Sequence, residues 1–188
     1  NGVSEYSSLS IRAGQDYTFT VVRNELFQKL CAECFDDVLT QNGKYCALYI
    51  NGQYWGLYCL KENVNEQYFA SLKGIDEDTV LTGKGQVDYG IGLREAIEYS
   101  YRNDMSVDEN YEQFCSMFNI ESLIGWIVME GYSGNSDTVN NIRYFSSPEY
   151  DDGRWQLCYY DLDWGFTYFD FAFSNVIGGA GNPGYQMT

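Results

Sequence analysis

The chain contains no histidine. That absence removes Ser-His-Asp and Cys-His catalysis, HExxH zinc proteases and every imidazole base, and leaves carboxylates, Lys, Tyr or Cys for acid-base work. Basic residues are also scarce. Eleven Lys and Arg stand against 27 Asp and Glu, a net charge of −16, whereas affinity for nucleic acid comes largely from clustered cations. No nucleic-acid partner is expected, and anionic membrane surfaces are disfavoured for the same reason. No apolar run approaches the ~20 residues of a membrane helix, and mean hydropathy is −0.37, so the chain reads as soluble and globular, without membrane insertion. Two glycine-rich stretches, Thr82-Gly83-Lys84-Gly85 and Asp88-Tyr-Gly90-Ile-Gly92, have neither the P-loop nor the GxGxxG spacing. Cys31-x-x-Cys34 has no second CxxC, which argues against zinc and for helix packing. Repeats and Pro-rich linkers are missing too.

What is present fits one domain, or two small lobes sharing a cleft: 188 residues, 45% of them hydrophobic. The first residue is Asn1, and no charged-then-apolar leader follows. A processed or excised part of a longer protein is therefore expected. Six cysteines permit disulfides without fixing a compartment, and Cys46 and Cys59 flank a hairpin where they could face the same side.

The first part reads as β-rich and the second as helical. Residues 8–12 alternate like a strand, and 13–16 read as a turn. Apolar positions Val22, Leu26, Phe27, Leu30 and Cys34 predict an amphipathic helix within 20–35. Residues 45–60 hold two strand-like runs joined by Asn51-Gly52, a strong hairpin signal. Helices are predicted over 65–72, 93–101 and, as one long element, 108–129.

Two acidic clusters dominate the second half: Asn135-Ser-Asp137-Thr-Val-Asn140-Asn141, then Asp161-Leu-Asp163-Trp164-Gly-Phe166. Such residues are ordinary turn formers, and either cluster alone could be a loop. Each, however, abuts a strand-like run, residues 142–145 and 155–160, where a rigid scaffold presents active groups. An Asp followed closely by Asn, with another Asp opening a second turn, is what phosphoryl transfer from a metal-nucleotide complex needs. Oxygen ligands suit Mg²⁺ or Mn²⁺.

The hairpin Tyr49-Ile-Asn51-Gly52-Gln-Tyr-Trp55-Gly56-Leu-Tyr58-Cys-Leu-Lys61-Glu62 and the two acidic blocks, preceded by Leu9-Ser-Ile-Arg12 and Arg23-Asn24-Glu25, resemble in order the signature blocks of the spore coat protein H (CotH) kinase family. The resemblance covers most of residues 8–170. It implies an α+β, atypical protein-kinase-like fold, with a β-containing N-terminal lobe over about 1–80, a helical C-terminal lobe over 81–188, and a cleft between them. It also implies Ser/Thr protein phosphorylation with ATP and Mg²⁺ or Mn²⁺, and an extracellular, cell-surface or spore-coat setting. Carried over, Asp137 positions the acceptor hydroxyl, Asn141 is a metal ligand, Asp161 is the main metal carboxylate and Asp163 assists it. Counting along the chain leaves Asn140 and Asn141 equally placed. Glu62 would sit in the nucleotide cleft, with Lys61 or Lys84 as phosphate-pairing cation. A solvated surface lysine is the duller reading of either.

The negative charge suggests a basic, Ser-rich protein substrate, if it is more than a solubility feature. Two other readings remain: a catalytically weak adhesion or coat-assembly module, and a carbohydrate-binding or carbohydrate-active domain. The second is prompted by 18% aromatic residues, 18 of them Tyr, and by paired carboxylates.

Overall fold

The computed structural model describes residues 6, 8–13, 21–85, 91–135 and 137–166. The Asn51-Gly52 signal holds: β3 (Gly43–Ile50) and β4 (Gln53–Glu62) form an antiparallel hairpin, and both turn residues have positive φ, 51° and 82°, as a two-residue turn between right-twisted strands requires. β1 (Leu9–Arg12) joins the other side of β4, in the order β1-β4-β3. Register settles the faces. Arg12 lies opposite Cys59, and Ser10 and Gly43 lie opposite Lys61, so alternation puts Arg12, Cys59 and Lys61 on one face.

Alternation also corrects one expectation. Tyr45 pairs with Cys59 and Cys46 with Tyr58, so Cys46 and Cys59 point to opposite faces, and all six cysteines are free thiols.

A second sheet, in the order β2-β7-β6-β5, draws on both halves of the chain. β2 (Leu39–Thr40) runs parallel to β7 (Gln156–Tyr159), which pairs antiparallel with β6 (Arg143–Ser146), and β6 with β5 (Leu81–Lys84). The glycine-rich residues 82–84 are thus an edge strand; residues 88–90 and the turn over 14–16 lie outside the described residues. α1 (Arg23–Cys34) and α5 (Ile120–Ser133) pack with this sheet around Phe27, Cys31, Val38, Trp126, Met129, Leu157 and Tyr159. α2 (Glu66–Lys73) starts at Asn65, whose side chain accepts from the Tyr68 N–H, and ends at left-handed Gly74.

The long helix expected over 108–129 is two. α4 (Asp108–Met117) stops where Phe118 turns extended to pair with Trp155, and Asn119 caps α5 by accepting from the Ser122 N–H at 2.8 Å. α3 (Ile91–Arg102) precedes them, and the single turn α6 (Thr138–Asn141) leads into β6. The result is α+β. Among the described residues no helix is long and apolar enough to cross a membrane.

Candidate active site

Immediately after β7 the chain turns sharply through Asp161, which has φ 59°. A left-handed backbone is unfavourable for most side chains and least so for short polar ones such as Asp. The start of α1 clamps this turn. Buried Asn24 accepts from the Leu162 N–H at 2.9 Å, and the Arg23 guanidinium donates to the Asp163 carbonyl at 2.8 Å. From below, the Phe166 N–H donates to the Ser133 carbonyl at 2.7 Å, and the Phe27 and Phe166 rings meet edge to face, 4.8 Å apart. Gly165 is required here, since a Cβ would come within 2.6 Å of the Phe27 ring. Both carboxylates of the turn meet one cation. Arg12 Nη2 donates to Asp163 Oδ2 at 2.8 Å and also to Asp161 Oδ1. Burial works to lower the Arg12 pKa, but Asp161 and then Asp163 outweigh it and leave the guanidinium held more firmly protonated than usual.

The other acidic cluster forms the loop leading into α6. Asn141 Nδ2 donates to Asp137 Oδ2 at 3.0 Å and to the Asp137 carbonyl at 3.1 Å, so Asn141 and Asp137 form a pair; the Asn140 side chain lies outside the described residues. Asn135 ties the clusters together. Its Oδ1 accepts from the Asp137 N–H at 3.3 Å, and its Nδ2 donates to the Asp161 carbonyl at 3.5 Å. Beneath the loop, fully buried Glu130 accepts from Thr138 Oγ1 at 2.9 Å. Burial drives the Glu130 pKa up to about 8, against the lowering effect of Thr138 and Asn135, so near neutrality this carboxyl is mostly protonated.

The third component is an ion pair. Lys61 is only 3% exposed and its Nζ lies 2.6 Å from Glu25 Oε1, so it is not a solvated surface lysine. Gly43 makes room for it: a Cβ there would fall 2.8 Å from Cys59 Sγ and 3.3 Å from Lys61 Cγ. Glu25 also accepts from the Tyr45 hydroxyl at 2.8 Å and Asn24 Nδ2 at 3.1 Å. Burial pushes the Glu25 carboxyl up, and Lys61, Tyr45 and Asn24 together overcome it, holding the group below the usual carboxylate range. Arg12 and Lys61 thus extend from one face of the first sheet, with Arg12 reaching Asp161 and Asp163.

Two expected participants stand apart. Glu62 is buried, but alternation turns it from the Lys61 face, and it accepts from the Asn42 N–H at 3.0 Å. Lys84 is exposed on the edge strand opposite Arg143; among the described residues no ion pair joins it to Asp137, Asp161 or Lys61.

A model of the CotH kinase protein family matches residues 13–91 and 92–186, nearly the whole chain. The chain belongs to the CotH kinase family. No match was found among curated proteins. Membership gives this CotH kinase family protein a kinase-type chemistry at the level of the family. The donor set is consistent with the divalent ion such chemistry uses. Asp161, Asp163 and the Asn141 amide offer hard oxygens, and the Arg12 guanidinium already marks a place where a cation bridges two carboxylates. Among the described residues no group of three or more His, Cys, Asp or Glu forms a ready-made cage.

Arg12, Glu25 and Glu130 are components that the sequence reading did not assign. Glu130 left a readable trace, an acidic residue in the apolar run Ile127-Val-Met-Glu130. Arg12 and Glu25 stood inside recognised blocks, but their partners lie 149 and 36 positions away and are fixed by sheet register and helix packing.

Proposed function

We propose that this protein is an ATP- and divalent-metal-dependent protein kinase that phosphorylates Ser or Thr in a basic protein substrate. The observation that carries the reading is the convergence, through Asn135, of the Asp137–Asn141 pair with the Asp161 turn, beside a buried Lys61–Glu25 ion pair. Protein kinases need a positioned base, an amide and a carboxylate for metal, and a Lys held by a Glu.

Asp161 and Asp163 would contribute carboxylate oxygens to the ion and Asn141 its amide oxygen. Bound there, the metal-triphosphate complex supplies the transferable phosphoryl group with its charge neutralised. Lys61, oriented by Glu25, pairs with phosphate oxygens. The Asn141 amide holds Asp137 Oδ2, leaving Oδ1 to accept the proton of the Ser or Thr hydroxyl. That oxygen bonds to the γ-phosphorus as the bond to the β-γ bridging oxygen breaks, and ADP leaves.

Incubation with labelled ATP, Mn²⁺ or Mg²⁺ and a basic, Ser-rich acceptor tests this, with autophosphorylation read alongside. Asp161→Ala should abolish transfer and metal-dependent nucleotide binding. Asp137→Ala should still bind nucleotide, while turnover falls roughly 10²-fold or more, the scale of a lost positioned base. Near-parental activity in both variants would return these clusters to ordinary turns.

A further inference from the structure

Two carboxylates and one guanidinium make an arrangement that a divalent ion cannot simply join. Arg12 bridges Asp161 and Asp163 through a single nitrogen, Nη2, and on the kinase reading the same two carboxylates would hold the metal. We propose that Arg12 is an interlock: it occupies the cation position between Asp161 and Asp163, and it yields that position to metal only when nucleotide phosphate is present to receive its guanidinium. The proposal rests on the kinase reading above.

Three observations carry it. The first is charge. Asp161 and Asp163, held in one turn by Arg23 and Asn24, present two acidic side chains to a single cationic nitrogen, Arg12 Nη2. The second is position. Arg12 shares a sheet face with Lys61, so a guanidinium leaving the carboxylates stays on the side from which Lys61 addresses phosphate. The third is chemistry. Arg is always charged, and its planar fork matches phosphate as well as carboxylate. Displaced by free metal alone, it loses two charged partners and gains none. Displaced by a metal-nucleotide complex, it exchanges carboxylates for phosphates while the metal takes over the carboxylates. Metal and nucleotide therefore bind with positive coupling, and the coupling is reciprocal.

The interlock is tested on Mn²⁺ binding followed by electron paramagnetic resonance, with and without a non-hydrolysable ATP analogue, on the parental protein, Arg12→Gln, Arg12→Lys and Asp161→Asn. Arg12→Gln should bind Mn²⁺ alone about 10-fold tighter, and the factor by which the analogue tightens Mn²⁺ should shrink about 10-fold. Arg12→Lys, which keeps the charge but not the fork, should fall between the two. Should Arg12→Gln fail to fold by near-ultraviolet circular dichroism, Arg12→Lys decides, tighter free Mn²⁺ binding supporting the interlock. Unchanged or weaker free Mn²⁺ binding by the Arg12 variants, with binding still lost in Asp161→Asn, overturns the interlock and leaves the kinase reading standing. Mn²⁺ binding that is absent throughout, or indifferent to Asp161→Asn, removes both.

Discussion

Lys61 sits where stability and chemistry meet. With its ammonium gone, Glu25 remains as a mostly buried carboxylate whose charge is no longer matched, and breaking such a pair costs about 3 kcal/mol. Lys61→Met should therefore lower both urea stability and phosphoryl transfer. The double variant Lys61→Met with Glu25→Leu separates the two effects, because replacing both charges by apolar groups should restore most of the stability and none of the transfer. Restored transfer would make the pair purely structural. Glu130 gives a second prediction, this one in pH. Its pKa is about 8 in the fold against 4.5 ordinarily. Between those values the unfolded chain has released a proton that the folded chain keeps. Folding stability therefore falls as pH rises through that window, by roughly 3 kcal/mol at pH 7, and levels off above 8. Glu130→Gln keeps an acceptor for Thr138 and carries no charge, so it should be the more stable protein at pH 8 and indistinguishable below pH 4.5. Urea titrations at the two pH values check this. At this scale the sequence singled out as candidates the residues that stand in a local motif, Asp137, Asn141 and Asp161. It left Arg12 and Glu25 unassigned because their partners come from distant elements.

Among the elements, the hairpin was legible because Asn51-Gly52 specifies a turn by local backbone preference alone. The break between α4 and α5 was less so. Apolar residues continue across Phe118 and Asn119, and only the pairing of Phe118 with Trp155 makes the interruption favourable, although Asn119 as a capping residue was a usable sign. β2, two residues long, was invisible, since nothing local distinguishes it from loop. α5 offers a test of how closely its surroundings fit. A Cβ on Gly125 would lie 2.6 Å from Val38 Cγ2 and 2.9 Å from Phe35 Cδ1. Ala is the better helix former by about 1 kcal/mol, yet Gly125→Ala should destabilise by about 1–3 kcal/mol because the overpacked contact outweighs propensity. A rise in thermal midpoint for this variant would show that the loop over residues 35–38 gives way freely.

For the whole molecule, the charge of −16 should act on encounter with the acceptor. Opposite charge speeds association and like charge slows it, and both effects weaken with salt. Ser peptides rich in Lys and Arg should be phosphorylated faster than acidic Ser peptides at low ionic strength, with the ratio falling as salt is added. Equal rates at low salt would assign the charge to solubility alone. Whole-chain organisation was the least legible level. That residues 39–40 pair with 158–159 follows from no motif, only from the close packing of α1 and α5 against one sheet. The parallel pairing of β2 with β7 has a consequence in time. On the ribosome the β3–β4 hairpin can close soon after it emerges, but β2 lacks its neighbour until residue 159 has been synthesised, and Asp161 follows two residues later. The turn that carries Asp161 and Asp163 thus takes shape only after the hairpin and the two helices that hold it, α1 and α5, have been made.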